Sequence, residues 1–230
     1  MKTQYTTERW MKHLSVLLFG VLILLGVLST NVGSVKAQTS VNGLLYAPNV
    51  YYQEYIYDGD GMEFAAQDVK LQYAPDENGV YQFSVANAGT TIVFVYQVTD
   101  AGVIELAYFP ETYESVDLRY HEDATDDLTA LVLPAELTVG EVFYRGFQGD
   151  EGYHVVEILP KFDLLGIRYE EVVVVEPVTQ SEDGEQRFYY APRIGHIMDE
   201  WIFTGEVDEE AHPITTSLNY LRGPMNISFE

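Results

Sequence analysis

Apolar and polar residues alternate with period two through much of the chain. Tyr81-Gln82-Phe83-Ser84-Val85 alternates cleanly, and Asn87-Ala88-Gly89 then turns the backbone. Thr91-Ile92-Val93-Phe94-Val95-Tyr96-Gln97-Val98 follows, a β-branched and aromatic run that stops at Thr99-Asp100-Ala101-Gly102. Val103–Phe109 is next and ends at Pro110. Side chains on a strand point to alternate faces, and turn residues at regular short spacing mark the connections of an antiparallel meander. The same pattern predicts strands at Val142–Phe147, His154–Leu159, Ile167–Glu176, Gln186–Tyr190 and His196–Phe203, then at Ile214–Leu221 and Met225–Phe229. Val172-Val173-Val174-Val175 does not alternate, which predicts a strand covered on both faces.

Residues 1–37 read differently. Lys12 and His13 precede an apolar run from Leu14 to Leu28, and Val35-Lys36-Ala37 places small residues at the exit before Gln38. A basic start, a short apolar stretch and a small-residue exit are the marks of a secretory signal. A spanning helix needs about 20 apolar residues, more than this run supplies without Asn31 and Gly33. The expected organisation is a signal peptide, with its helix, over 1–37 and a secreted domain over 38–230. The expected location is extracellular, the alternative being an uncleaved signal that anchors the chain to the cytoplasmic membrane.

Beyond that signal, ten or more residues with a 3.6 period are nowhere in evidence. Only short helical turns are expected, at Pro110–Ser115 or Asp126–Thr129. The fold class is therefore all-β with minor α: a curved open antiparallel sheet or half-barrel. Three Tyr-Ala-Pro tripeptides, at Tyr46, Tyr73 and Tyr190, share no period. Proline fixes its own φ and restricts the residue before it, so each predicts a strand end or edge.

Charge narrows the partners. The chain holds 12 basic and 36 acidic residues; residues 1–37 contain Lys2, Arg9, Lys12 and Lys36 but only one acid, Glu8. The 193 residues that remain carry eight basic side chains against 35 acidic ones, a net charge of −27 with neutral histidines. Such a surface repels nucleic acid phosphates and anionic headgroups, so no nucleic acid and, after signal cleavage, no membrane are expected as partners. The absence of cysteine excludes disulfides, thiol nucleophiles and cysteine metal sites, and in an exported chain it fits a bacterial envelope.

Candidate chemistry is sparse. Asp58-Gly59-Asp60-Gly61-Met62-Glu63 offers oxygens but is too short for a helix-flanked calcium loop, and an acidic hairpin turn is expected. His121-Glu122-Asp123-Ala124-Thr125-Asp126-Asp127 is the densest acidic cluster, expected to be a solvated loop with Thr125 or Asp126 starting a helical turn. His121, His154, His196 and His212 show no His-x-x-x-His spacing, and the common hydrolase motifs are missing. Glu170 and Glu171, adjacent on a strand, point to opposite faces and cannot act as a pair. Tyr51, Tyr52, Tyr55 and Tyr57, with Tyr108, Tyr113 and Tyr120, either fill the edge of the core or line a ligand face. The residues thus assign no catalytic, metal or cofactor site, and the ligand-binding residues stay open.

Four segments resemble a group of uncharacterised secreted proteins and lipoproteins of Gram-positive bacteria. Tyr57-Asp58-Gly59-Asp60-Gly61-Met62-Glu63-Phe64-Ala65 is similar to their Gly-x-Gly-Asn-Glu-[Tyr/Phe]-Ala motif. Asn87-Ala88-Gly89-Thr90-Thr91 leading to Val95-Tyr96-Gln97-Val98 resembles their glycine hairpin. Leu133-Pro134-Ala135-Glu136-Leu137-Thr138-Val139-Gly140 resembles a Leu-Pro-x-x-Leu-x-x-Gly turn, and Tyr189-Tyr190-Ala191-Pro192-Arg193-Ile194-Gly195-His196-Ile197 their closing hairpin. The resemblance implies a twisted open antiparallel sheet and no established catalytic residues. Arg193 stands where that group commonly has glycine, which argues against a positive-φ turn there. The expected function is a noncatalytic envelope or extracellular module with an unknown ligand. The alternatives are a secreted carboxylate-dependent hydrolase of glycosidase type and a calcium-stabilised surface protein.

Overall fold

A computed structural model describes residues 38–123, 130–145, 149, 151–204 and 213–229. The signal reading of 1–37 lies outside them, as do the expected helical turn at 126–129 and His212. Among the described residues the body is nearly all β, and no helix is long and apolar enough to cross a membrane.

The strands are β1 (Ser40–Asn42), β2 (Tyr52–Asp60), β3 (Gln67–Tyr73), β4 (Val80–Ala86), β5 (Thr91–Thr99), β6 (Gly102–Phe109) and β7 (Ala130–Pro134). Then come β8 (Glu136–Thr138), β9 (Val142–Arg145), β10 (Glu151–Leu164), β11 (Ile167–Pro177), β12 (Gly184–Ala191), β13 (Gly195–Phe203) and β14 (Ile214–Pro224). Twelve of them form one antiparallel sheet in the order β7-β6-β5-β4-β3-β2-β14-β13-β12-β11-β10-β9, while β1 pairs only with β8. The sheet is two meanders, β2 to β7 and β9 to β14, joined where β14 pairs with β2.

The sheet curls into a nearly closed half-barrel. Register shifts on β3/β4, β5/β6, β6/β7, β10/β11, β12/β13 and β14/β2 distribute the bend, because an extra residue on one strand kinks and twists it. The two edge strands, β7 and β9, approach each other without a backbone ladder. A side chain bridges them instead: Arg145 Nε donates to the Val132 carbonyl at 2.9 Å.

One end of the concave side is filled by the segment that precedes β2. A 3-10 turn at Gly43–Tyr46 leads into Ala47, Val50 and Tyr51, all buried. Its hydrogen bonds reach around the barrel. Tyr46 donates its hydroxyl to the Glu171 carbonyl on β11 at 2.8 Å, and Tyr81 on β4 donates to the Pro48 carbonyl at 3.0 Å. Arg193 N, in the β12–β13 turn, donates to the Leu45 carbonyl at 2.6 Å. The Tyr55 hydroxyl accepts from the amides of Tyr51 and Tyr52 at 2.9 and 3.0 Å, fixing the corner where this plug becomes β2.

Several expectations from the pattern are met. Val172, Val173, Val174 and Val175 are all within 2% of full burial, as a run without alternation requires. Tyr51, Tyr55 and Tyr57 belong to the core, whereas Tyr108, Tyr113 and Tyr120 are exposed. β3 ends at Tyr73 and β12 at Ala191, each just before its proline, as the Tyr-Ala-Pro tripeptides predict; Tyr46 instead ends the 3-10 turn.

Others are corrected. Met225–Phe229 is not a strand: β14 ends at Pro224, and the segment lies against the start of β2, with Met225 N donating to the Tyr51 carbonyl and the Phe229 ring edge-on to Tyr51. Pro110–Ser115 forms a turn at Pro110–Glu111 and then irregular chain with a bend at Glu114, not a helical turn. Arg193 does adopt positive φ, at 58°, held by its bond to Leu45, and Gly195 follows at 92°. Glu170 and Glu171 are both exposed, because Glu171 takes a φ of 53° and breaks the alternation.

Candidate functional site

The concave face holds a cluster of polar and charged side chains among aromatic rings. On β9, Phe143 and Arg145 share a face, being two residues apart. Phe143 stacks on Tyr153 of β10, whose ring meets Phe188 of β12. The Arg145 guanidinium lies 4.4 Å from the Tyr153 ring centroid, 5.4 Å from those of Phe143 and Phe188, and 6.0 Å from that of Tyr190. Its Nη2 donates to the Tyr190 hydroxyl at 3.1 Å. Among the described residues, no carboxylate comes within 4.0 Å of it.

His196, at the start of β13, faces the same cluster. It pairs across the ladder with Tyr190, and its ring lies 5.5, 5.7 and 6.4 Å from those of Tyr190, Tyr57 and Phe188. The Tyr57 hydroxyl donates to the His196 carbonyl at 2.9 Å, tying β2 to β13. Nε2 of His196 is shielded from solvent with no hydrogen-bond partner, and Asp199 Oδ2 stands 3.6 Å away. Burial, then the charge of Arg145, lowers the His196 pKa to about 4, a backbone hydrogen bond with Met198 opposing. Burial raises Asp199 to about 6, opposed by a hydrogen bond from the Thr216 side chain. At neutral pH the pair is therefore a neutral imidazole beside a carboxylate.

The opposite wall contributes Tyr96 on β5 and Glu105 on β6. Tyr96 donates to Glu105, and burial raises both pKa values. Tyr96 also responds electrostatically to Tyr190 and Arg145. These lie six strands away and on the far edge of the sheet, so the interaction runs across the concave side.

A pocket of about 430 Å³ opens beside this cluster, lined on the concave face by Tyr153, Gln186 and Trp201, with Glu151 and Gln180 at its rim. Tyr153 belongs to both: its ring forms part of the pocket wall and lies against Arg145.

Apart from His196 and Tyr57, the residues singled out by sequence fall elsewhere. Asp58 Oδ2 accepts from Asn219 Nδ2 at 2.8 Å, tying β2 to β14, and Asp60 Oδ1 accepts from the Gly61 amide at 2.9 Å at the end of β2. His121 Nδ1 accepts from the Asp123 amide at 3.3 Å, and the rest of that acidic cluster, 124–127, lies outside the described residues. Among the described residues no three His, Asp or Glu side chains are arranged to hold a metal ion.

Sequence reasoning passed over Arg145, Asp199, Glu105 and Trp201, and set His196 aside for want of a spaced partner. One signal was available. With eight basic residues in 193, an arginine inside the aromatic run Phe143-Tyr144-Arg145 is conspicuous. The convergence of β5, β6, β9, β12 and β13 has no local signature, because it depends on the curl of the sheet. Comparison with protein-family models, with curated proteins and with solved structures finds no match.

Proposed function

We propose that the chain is an exported, noncatalytic binding module of a Gram-positive cell envelope, and that its ligand enters the concave side through the mouth at Tyr153, Gln186 and Trp201. The observation that carries this reading is the pocket itself: a cleft that brings two aromatic side chains, Tyr153 and Trp201, together with polar Gln180, Ser181 and Gln186 has the makings of a ligand site. The signal-like N-terminal segment supports export, and the acidic surface supports a soluble role facing uncharged or cationic material.

The test is a binding screen of the full chain against wall glycan fragments, peptides and lipid vesicles. One class is expected to bind, and Gln186→Trp, which fills the mouth, is expected to abolish that binding. Hydrolysis of a glycan or peptide with no stoichiometric binding would reverse the reading. A hydrolase is the second reading, favoured by one observation: Asp199 and Glu105 are acids whose burial raises their pKa, as a general acid requires. Under that reading Asp199→Asn removes turnover; under the first it leaves binding intact.

A further inference from the structure

We infer that the cleft between Tyr153 and Trp201 seats a short uncharged saccharide, with a sugar ring on the Trp201 indole and its hydroxyls paired by Gln186. The inference rests on the binding-module reading above and adds the chemical class of the ligand.

Strand pairing builds the cleft. Gln186 on β12 and Trp201 on β13 stand directly opposite in register, which sets a planar amide beside a planar ring on one face. A Cβ on Gly184 would lie 2.5 Å from Nε1 and 2.6 Å from Cε2 of Trp201, so the indole packs against β12 where only glycine leaves room. The facing wall is Tyr153, its ring held between Phe143 and Phe188 at centroid distances of 6.2 and 6.1 Å. The loop from β11 to β12 closes a third side and is tied down twice. Val178 N donates to the Gly152 carbonyl at 2.7 Å. The Gln180 side chain brackets the backbone of Gln186, accepting from its N–H at 2.8 Å and donating to its carbonyl at 3.3 Å. A cleft fixed in this way needs little ordering when a ligand enters.

The lining selects the ligand. Of its nine residues five are polar, Glu151, Thr179, Gln180, Ser181 and Gln186, and none is basic. An acyl chain would take those polar groups out of water without replacing its hydrogen bonds. An anion would find no counter-charge there and would meet Glu151 on a strongly acidic protein. The Gln186 side-chain amide and the Trp201 indole N–H have no partner among the described residues, so a ligand hydroxyl can replace water at each. A sugar ring fits all of this. Its C–H face is apolar and covers an aromatic ring, while its hydroxyls both donate and accept, as the amide does. At about 430 Å³ the cleft is small among ligand sites, which run about 300–1,000 Å³, and so suits a short saccharide.

The chain has two tryptophans, Trp10 and Trp201, so in the full chain carrying Trp10→Phe the emission reports Trp201 alone. That protein is titrated with cellobiose, maltose and N,N′-diacetylchitobiose, each beside the uronic acid made by oxidising its terminal primary hydroxyl. At least one neutral disaccharide is expected to shift the emission saturably to the blue, and its acid to bind about 10-fold more weakly through like-charge repulsion. Glu151→Gln is expected to narrow that gap. By calorimetry, Gln186→Leu is expected to weaken the neutral sugar about 10-fold, as its hydroxyls lose their partner. Trp201→Ala is expected to weaken it by about 10-fold or more through lost ring contact. Should Trp201→Ala fail to fold, Gln186→Leu and the neutral-to-acid ratio decide. Equal affinity for a sugar and its acid, or sugar binding that Gln186→Leu leaves unchanged, overturns the saccharide seat. No response to any disaccharide at millimolar concentration overturns it too; a peptide or vesicle then held in a manner that Gln186→Trp abolishes keeps the module. Turnover of the sugar overturns the module itself.

Discussion

His196 and Asp199 oppose each other in the pH dependence of stability, and Asp199→Asn exposes this. The folded His196 titrates near 4 instead of its usual 6.5. Between those values the unfolded chain binds a proton that the folded chain does not, so stability falls as pH drops through the window. Asp199 behaves inversely, with a folded value near 6 against 3.8. Between these the folded chain holds the extra proton, so stability rises as pH drops from 6 toward 4 and is lost again as pH rises. At ~1.36 kcal/mol per unit, each contributes about 3 kcal/mol, with opposite sign and over nearly the same range. Their side chains are only 17% and 28% exposed, so solvent screening leaves most of this in place. In the wild type the two contributions nearly cancel.

Asp199→Asn removes one side of that balance. Urea unfolding of wild type and variant at neutral pH and again near pH 4 gives four stabilities, and the difference of differences isolates this pair, because the other acids are common to both chains. The variant is expected to lose about 3 kcal/mol more than the wild type on acidification. With an urea m-value of about 1–3 kcal/mol per molar, the extra shift in midpoint is on the order of 1–3 M. Parallel pH profiles for the two proteins, within about 0.5 kcal/mol, would show that these side chains are not buried together as described.

Three further outcomes are expected. Tyr55→Phe leaves the buried amide of Tyr51 without its acceptor and weakens that of Tyr52, costing about 1–3 kcal/mol in thermal or urea unfolding, whereas Tyr108→Phe on the surface changes less than about 0.5 kcal/mol. Gly195→Ala places a Cβ 2.6 Å from the Ala47 carbonyl oxygen at a φ of 92°, so it is expected to destabilise by more than about 2 kcal/mol, read as loss of protease resistance at the plug. Millimolar Ca²⁺ is expected to leave the melting temperature unchanged, since Asp58 and Asp60 each spend an oxygen on a hydrogen bond and no three acids or histidines converge among the described residues; a rise of several degrees by linkage would instead favour the calcium-stabilised alternative.

The amino-acid pattern by itself determined the material of this fold. Alternation of β-branched and aromatic residues marked the strands from Tyr81 to Phe109 and from Ile167 to Phe203, since a pleated strand sends alternate side chains to opposite faces. The unbroken valines at 172–175 likewise announced a doubly covered strand. Local pattern left out β2, where Tyr55-Ile56-Tyr57 and the acidic Asp58 and Asp60 spoil the alternation, and β3 was passed over, although its Val69, Leu71 and Tyr73 do alternate with Asp68, Lys70 and Gln72. The pattern was silent too on the plug at Gly43–Tyr51, of whose tyrosines only Tyr51 was weighed, as core edge ahead of ligand face. Only the tertiary structure decided that Arg145, on the last edge strand, reaches Val132 on the opposite edge, and that Tyr96, Tyr190, His196 and Asp199 share one interior. The reason is physical. Register and alternation are set between neighbours in the chain, whereas the closure that gathers these side chains comes from bulges summed over twelve strands, and no short segment encodes that sum.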